Sequence, residues 1–388
     1  SYKELYKLEI EILIQLKEID KNEWLLSKSG ISLEQFYGIE IDDYAQEAAK
    51  LSLWIAQHQM NIQYKKMMND FRPTLPLSPS GNITLGNATK LNWNEVCPYD
   101  DKKYFFVIGN PPYAGARLQS KNQKNDMEYV FGNIQKGHKD LDYISCWFFL
   151  GSKYIENKNA KLAFVSTNSI VQGEQVSLIW PNILNSKIEI SFAYKSFDWK
   201  NNAKYNAGVT CVIISLRNIS KNEKYIFYES KIKKAKNINA YLLDYRNIFI
   251  KKSSHQISEL PKMYFGNMPV DNGNLILSEN EKNDLINANS NAEKFIRPFI
   301  GAAEFIYNRK RYCLWIRDKN LDEANEIQEI SKRLEKVKKF RLNSKNKGTV
   351  DMADKPYQFR GMREAKNNSL IIPSATSEKR DYIPIGFY

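Results

Sequence analysis

The stretch YFFVIGNPPYAG, residues 104–115, reads as an apolar strand from Tyr104 to Ile108 that runs straight into a Pro-Pro turn. A short, fully apolar run that ends in a turn is strand-sized. Upstream of it, FYGIEI (36–41) is a short apolar run closing on Glu40, and ITLGNAT (83–89) is a second strand with its turn. Downstream, KLAFVSTNSI (161–170), IEISFAY (188–194), AGVTCVIISLR (207–217) and YIFYES (225–230) continue the series. Helices fall between them. Residues 2–19 place Leu5, Leu8, Ile12, Leu13 and Leu16 at helical spacing. Residues 42–60 begin at Asp42 or Asp43, either a suitable N-cap, with Ala45, Ala48, Ala49, Leu53 and Ile55 on the buried side. Residues 142–155 form another helix. Strand and helix in alternation predict an open α/β sheet over this part of the chain.

In such a sheet ligands bind beyond the carboxyl ends of the strands, which is where Gly109-Asn110-Pro111-Pro112-Tyr113 lies. The residue types suit transfer of a methyl group to an exocyclic amino group on a planar ring. The lone pair of that nitrogen is delocalised into the ring, so it is a poor nucleophile. The Asn110 side-chain oxygen and the main-chain carbonyl at Pro111 can accept hydrogen bonds from its two N–H groups, favouring a pyramidal nitrogen. Pro111 and Pro112 restrict the backbone and pre-position the acceptor, and Tyr113 offers a ring on which a base can stack. A Pro-Pro turn that merely ends a strand is the plainer alternative, and its strand context weighs against it.

Two further positions fit a nucleotide-like cofactor. Glu40, at a strand end, can accept hydrogen bonds from ribose hydroxyls, and Ile41 can cover an adenine. Asn87-Ala88, at the exit of the strand at 83–86, can meet the edge of that adenine. Each alone is also what an ordinary strand end or turn looks like.

The character of the chain changes near residue 251, after which the alternation stops. A boundary at 255/256 separates 1–255 from 256–388. The second part holds the aromatic strand RKRYCLWIRD (309–318) and a basic amphipathic helix over about 321–341. That helix sets Ile327, Ile330, Leu334, Val337 and Phe340 on one side, with Lys332, Arg333, Lys336, Lys338, Lys339 and Arg341 around the rest.

The 388 residues are ample for two domains, and 43% hydrophobic with 26% charged residues excludes a disordered chain. Lys plus Arg outnumber Asp plus Glu by 57 to 44, a net charge of +13 that points to a polyanionic partner or to a lysine-rich proteome. Apolar runs are strand-sized, so no membrane span is expected. The four cysteines lie far apart and only three histidines are present, so neither a metal site nor a disulfide framework is expected. This usage suits a reducing cytoplasm.

The order of an acid after a strand, then Asn-Ala, then Asn-Pro-Pro-Tyr resembles the modification part of the MmeI-like family of restriction–modification enzymes. The resemblance rests on FYGIEIDDYAQEAAKLSLWIAQHQ, GNATKLNW, VIGNPPYAG, DLDYISCWFFLGSKYI, AFVSTNSIVQGEQVSLIWP and FDWKNNAKYNAGVTCVII. In the second part it rests on MYFGNMPVDNGNLILSE, IRPFIGAAEFI, RYCLWI, PYQFR and SEKRDYIPIGF. It implies a Rossmann-like methyltransferase sheet using S-adenosylmethionine over 1–255, acting on adenine N6. A mixed α+β target-recognition domain that binds double-stranded DNA is implied over 256–388. Cofactor contacts are implied at Glu40, Ile41, Asn87, Ala88 and Asn110, and catalytic roles at Asn110, Pro111, Pro112 and Tyr113. Phe197 or Trp199, with Phe197 preferred, is similar to the aromatic that would sandwich a flipped base against Tyr113. Extruding the base costs a few kcal/mol, which a basic clamp on the duplex can offset. The candidate phosphate contacts are Arg309, Lys310, Arg311, Arg341, Arg360, Arg363, Lys379 and Arg380.

The family's glycine-rich cofactor turn, its first strand and its nuclease part have no counterpart in this sequence, so the expectation is an interior piece of a larger enzyme. Three rival readings stand. The same chemistry serves cytosine N4, and it also serves an amino group of RNA or of a protein glutamine. The chain could equally be a DNA-binding module without chemistry.

Overall fold

A computed structural model describes residues 1–19, 30–68, 81–199, 209–253, 255–256, 258–260, 263–364, 368–376, 380 and 382–387. The chain packs as two compact units, Ser1–His255 and Gln256–Tyr388.

The first unit opens with α1 (Tyr2–Ile19), which packs against α2 (Asp43–Met68). Between them β1 (Tyr37–Glu40) pairs in parallel with β2 (Asn82–Leu85), with Glu40 opposite Leu85. The helix faces differ from the sequence expectation. Tyr2, Tyr6, Ile10 and Leu13 are the buried stripe of α1, whereas Leu5, Leu8, Ile12 and Leu16 are exposed. Helix α1 carries two apolar stripes, and the one whose tyrosines fill space wins. The Tyr2 ring meets Phe36 edge-on at 5.4 Å, and the Tyr6 hydroxyl donates to Asn61 Oδ1 on α2 at 3.2 Å. On α2 the buried residues lie toward its far end, at Met60, Tyr64 and Met68, while Ile55 is exposed.

The remaining elements of this unit are α3 (Trp93–Val96), β3 (Phe105–Gly109), α4 (Lys121–Phe131), α5 (Ser145–Ile155) and β4 (Ala160–Thr167). They are followed by α6 (Gly173–Ile183), β5 (Ile188–Asp198), β6 (Thr210–Asn218), β7 (Lys224–Tyr228) and β8 (Lys231–Ala235). The last six strands form one sheet in the order β3-β4-β6-β5-β7-β8. The β3/β4 and β5/β7 pairs are parallel, and β6 lies antiparallel to both its neighbours. The architecture is thus a Rossmann-like α/β sheet whose far half is mixed. Its core is large: Trp180, Phe148, Phe131, Leu141 and Leu162 are among its fully buried side chains. Among the described residues β1 pairs only with β2 and β3 only with β4, so each has one open edge.

The second unit contains β9 (Ile276–Leu277), α7 (Glu279–Ala288), β10 (Ile296–Pro298), α8 (Ala302–Tyr307) and β11 (Tyr312–Leu314). Then come α9 (Leu321–Asn325), α10 (Gln328–Leu342), α11 (Lys347–Val350), β12 (Leu370–Ile371) and β13 (Gly386–Phe387). The order β10-β11-β9 is antiparallel, and β12 pairs with β13. The expected strand at 309–318 contracts to β11. The expected helix over 321–341 is two helices, because Ile327 takes an extended backbone (φ −86°, ψ 106°) as it drops into the core.

Candidate active site

Glu40 and the 86–90 turn share one end of the β1–β2 pair because the two strands run parallel. The amide of Gly86 donates to the Glu40 carbonyl at 2.7 Å and continues the ladder past the strand end. The Glu40 side chain is half-buried, and Ile41 beyond it is 71% exposed. Asn87 is held from within. Its Oδ1 accepts from the Thr89 amide (2.9 Å) and hydroxyl (2.7 Å), and its Nδ2 donates to Asp126 Oδ2 at 3.0 Å. The Ala88 carbonyl accepts from the Trp93 indole at 2.8 Å. Asn87 therefore braces the turn, and its oxygen is spent inside the protein.

Asp126 on α4 is the hub of this brace, and the sequence reading missed it. Its carboxylate is buried and also receives the Tyr143 hydroxyl at 2.7 Å and the Lys90 ammonium at 3.2 Å. Burial, reinforced by that carboxylate, pushes the Tyr143 hydroxyl well above the ordinary phenol range. Tyr143 in turn ties to the loop after β3, where its amide donates to the Ala114 carbonyl at 2.9 Å. Gln119 spans the same loop, donating to the carbonyls of Ala114 (3.3 Å) and Leu141 (2.8 Å). No periodic signal marks Asp126; only the fold brings α4 under the 87–90 turn.

Asn110 leaves β3 exposed, Pro111 is buried, Pro112 is exposed and Tyr113 is half-buried against the large core. The Tyr113 hydroxyl lies near the Asn110 side chain and the Cys211 thiol. Burial, with Cys211 beside it, raises the Tyr113 hydroxyl above its ordinary range, and burial likewise raises the Cys211 thiol. Cys211 sits on β6 directly opposite Thr167 of β4 and Phe197 of β5. Asn110, Tyr113, Cys211 and Phe197 thus gather at one end of the sheet. The β5–β6 register shifts between Tyr194 and Phe197, which brings Phe197 into line with Cys211. Trp199 follows, half-buried, its amide donating to the Val209 carbonyl at 3.0 Å. The rest of that loop, 200–208, lies outside the described residues.

Of the expected phosphate contacts in the second unit, Arg341 is a correction. It is completely buried and donates to five carbonyls: Nε to Val270, Nη1 to Met352 and Lys355, and Nη2 to Pro269 and Gln358, all at 2.8–2.9 Å. The reason is helical period. Ile330, Leu334, Val337 and Arg341 share the inward face of α10, while Phe340, expected inside, is 38% exposed. Arg311 pairs with Glu304 at 2.8 Å, and Lys310 stands 3.9 Å from Glu279. Arg309 is exposed over the Tyr307 ring at 5.3 Å. Arg363 stacks on Tyr264 at 4.8 Å, Arg360 reaches the Gly348 carbonyl at 3.2 Å, and Arg380 is exposed. Lys379 lies outside the described residues. Among the described residues no helix is long and apolar enough to cross a membrane, and no cluster of three His, Cys, Asp or Glu could hold a metal.

With this geometry in place, comparison with known proteins decides the family. Residues 1–228 match the family described as the MmeI DNA-methyltransferase domain, and residues 244–388 match the MmeI target recognition domain. The chain belongs to the MmeI family. It is 45% identical over all its 388 residues to DNA methyltransferase A of Bacillus subtilis (strain 168). It is also similar to the solved structure of MmeI, a type IIL restriction-modification enzyme in complex with DNA, at 38% identity with a TM-score of 0.88 across the whole chain. The chain spans 44% of the first protein's length and 52% of the second's. In an MmeI-family chain the two matched segments fall one on each compact unit, apart from the stretch at 244–255.

Proposed function

We propose that this chain carries the catalytic and recognition parts of a restriction–modification methyltransferase. The first unit transfers a methyl group from S-adenosylmethionine to the N6 amino group of an adenine flipped out of duplex DNA. The second unit holds the duplex. The observation that carries the reading is the loop at 110–113: an exposed Asn110 at the end of an apolar strand, with the Tyr113 ring half-buried beside it.

The residues present suit the cofactor in part. Glu40, an acceptor without a protein partner among the described residues, fits a ribose diol, and the exposed Ile41 fits one face of an adenine ring. Asn87 fits only as the brace of the turn, leaving the main-chain amides at 87–88 for the ring edge. The bound cofactor supplies an electrophilic methyl group; everything else falls to the chain. Asn110 Oδ1 and the Pro111 carbonyl accept the two amino hydrogens of the target adenine and localise its nitrogen lone pair. Tyr113 stacks on one face of the base and Phe197 on the other. The proximity of the Asn110 side chain to the Tyr113 hydroxyl keeps the acceptor and the stacking ring together before a base arrives.

The test is Asn110→Ala, measured by transfer of labelled methyl groups into duplex DNA and by mass spectrometry of the digested product. Transfer should fall by a factor of about 10² or more while duplex binding is unchanged. N4-methylcytosine in the wild-type product would replace adenine as the target. Unchanged transfer in the variant would remove the loop from catalysis.

A further inference from the structure

The sequence reading placed the basic character of α10 around its whole outer surface. The structure sorts those cations into two groups. Several basic side chains in the second unit are matched with carboxylates: Lys294 with Glu323, Arg311 with Glu304, Arg317 with Glu364, Lys355 with Asp318 and, on α10 itself, Arg333 with Glu281. Lys336 and Lys339, on the second half of α10, have no carboxylate partner among the described residues and are exposed. They line an open cleft of about 480 Å³ together with Asn272, Asn274, Phe340 and Asn343.

The opposite wall of that cleft is unusual backbone. In the turn at 270–273, Val270 (φ 47°), Asn272 (φ 51°) and Gly273 (φ 79°) all adopt left-handed conformations. For a β-branched valine this is a true outlier, and such strain persists only where the surroundings impose it. They do so here. Arg341 grips the Pro269 and Val270 carbonyls, and Asp271 Oδ2 accepts from the amides of Leu275 (2.6 Å) and Ile276 (3.2 Å). The held turn presents Asn272 across the cleft from Asn343, and neither side-chain amide has a protein partner among the described residues.

We propose that this cleft, between the 270–274 turn and the second half of α10, is where the second unit grips the sugar–phosphate backbone of duplex DNA. The inference rests on the proposed DNA methyltransferase function and deepens it. Two unpaired ammonium groups and two free amides are donors for phosphate oxygens, and the part-exposed Phe340 ring supplies an apolar surface for a deoxyribose. The helix dipole accounts for a cation in the last turn of α10. It does not account for the exposed cations that follow the helix, Lys345 and Lys347, which have no carboxylate partner among the described residues. Exposed cations in the segment that directly follows an open cleft suit an extended polyanion rather than one small anion. Arg341 takes part from behind, as a positioning residue that sets the turn and touches no phosphate.

The experiment is fluorescence anisotropy of a labelled mixed-sequence duplex with the chain, over a series of salt concentrations. Lys336→Gln/Lys339→Gln is compared with wild type and with Lys294→Gln/Lys355→Gln, which removes two carboxylate-paired lysines. The cleft variant should lose about 1.8 from the slope of log affinity against log salt, about 0.9 for each lost phosphate contact. Its affinity should fall roughly ten- to fiftyfold near 0.1 M salt, with an unchanged thermal melt. The control pair should keep the wild-type slope. Salt-dependent binding by wild type with the same slope in the cleft variant overturns the cleft and leaves the DNA reading standing. Absence of duplex binding by wild type overturns both.

Discussion

The candidate site is assembled from two sheets that are supported unequally. The six-stranded sheet that ends in Asn110 rests on a core containing Trp180, Phe148, Phe131 and Leu162, all fully buried. The two-stranded pair that ends in Glu40 rests on a small one, centred on Tyr64, Met60 and Ile10 between α1 and α2. One side of the site is thus anchored in the bulk of the unit, while the other is carried by a helix pair whose outward stripes are themselves apolar. What links the two is largely polar: Asp126, which ties the turn after β2 to α4 and to Tyr143, and the Trp93 indole, which holds the Ala88 carbonyl. The difference teaches that the geometry between the Glu40 end and the Asn110 end depends on a few bonds at the 87–90 turn, because among the described residues no strand pairing joins the two sheets.

Four substitutions break or sharpen this comparison. The largest effect is expected from Trp180→Ala, which empties the large core and removes the indole bond to the Ile170 carbonyl at 2.8 Å. It should cost about 3–5 kcal/mol in urea unfolding. A loss confined to well under 1 kcal/mol would mean that this core does not support the first unit. Asp126→Ala is intermediate, at about 1–3 kcal/mol, because it strands the Tyr143 hydroxyl and the Asn87 amide. Its signature is local. Hydrogen exchange at Gly86 and in β1–β2 should accelerate while β4 and β6 keep their protection; equal acceleration in both sheets would sink the idea of a strut. The smallest effect belongs to the open edge of β3. Phe106 is 67% exposed, so Phe106→Ser should change stability by no more than about 0.5 kcal/mol. On the paired neighbour β4, Phe164 is buried at 3% exposure, and Phe164→Ser should cost several times as much in the same assay.

Much of the site could be read in the sequence because its parts are local. An apolar run followed at once by Asn-Pro-Pro-Tyr is a strand and its exit loop, whatever lies around it. Glu40 at the end of FYGIEI is legible for the same reason, and both positions fall at strand ends in the structure. The buried face of α1 was not legible, since Leu5-Leu8-Ile12 and Tyr2-Tyr6-Ile10 both satisfy helical spacing and only α2 and Phe36 choose between them. The antiparallel entry of β6 between β4 and β5 was equally hidden: an apolar strand reads the same in either direction. Arg341 is a different case. Its place in the period of Ile330, Leu334 and Val337 was available from the sequence, and its charge outweighed its position in the reading.

By itself, then, the sequence determined where strands end in chemistry-bearing loops and that one helix of the second unit is basic, because spacing and local residue type need no partner. The tertiary structure alone decided which cations face solvent and which staple the interior. It also decided that Asn87 faces Asp126 and that Cys211, the strand partner of Phe197, arrives beside Tyr113. Each of these depends on groups far apart in the chain meeting across a buried surface, where an unpaired donor or acceptor is costly and the available partner sets the role.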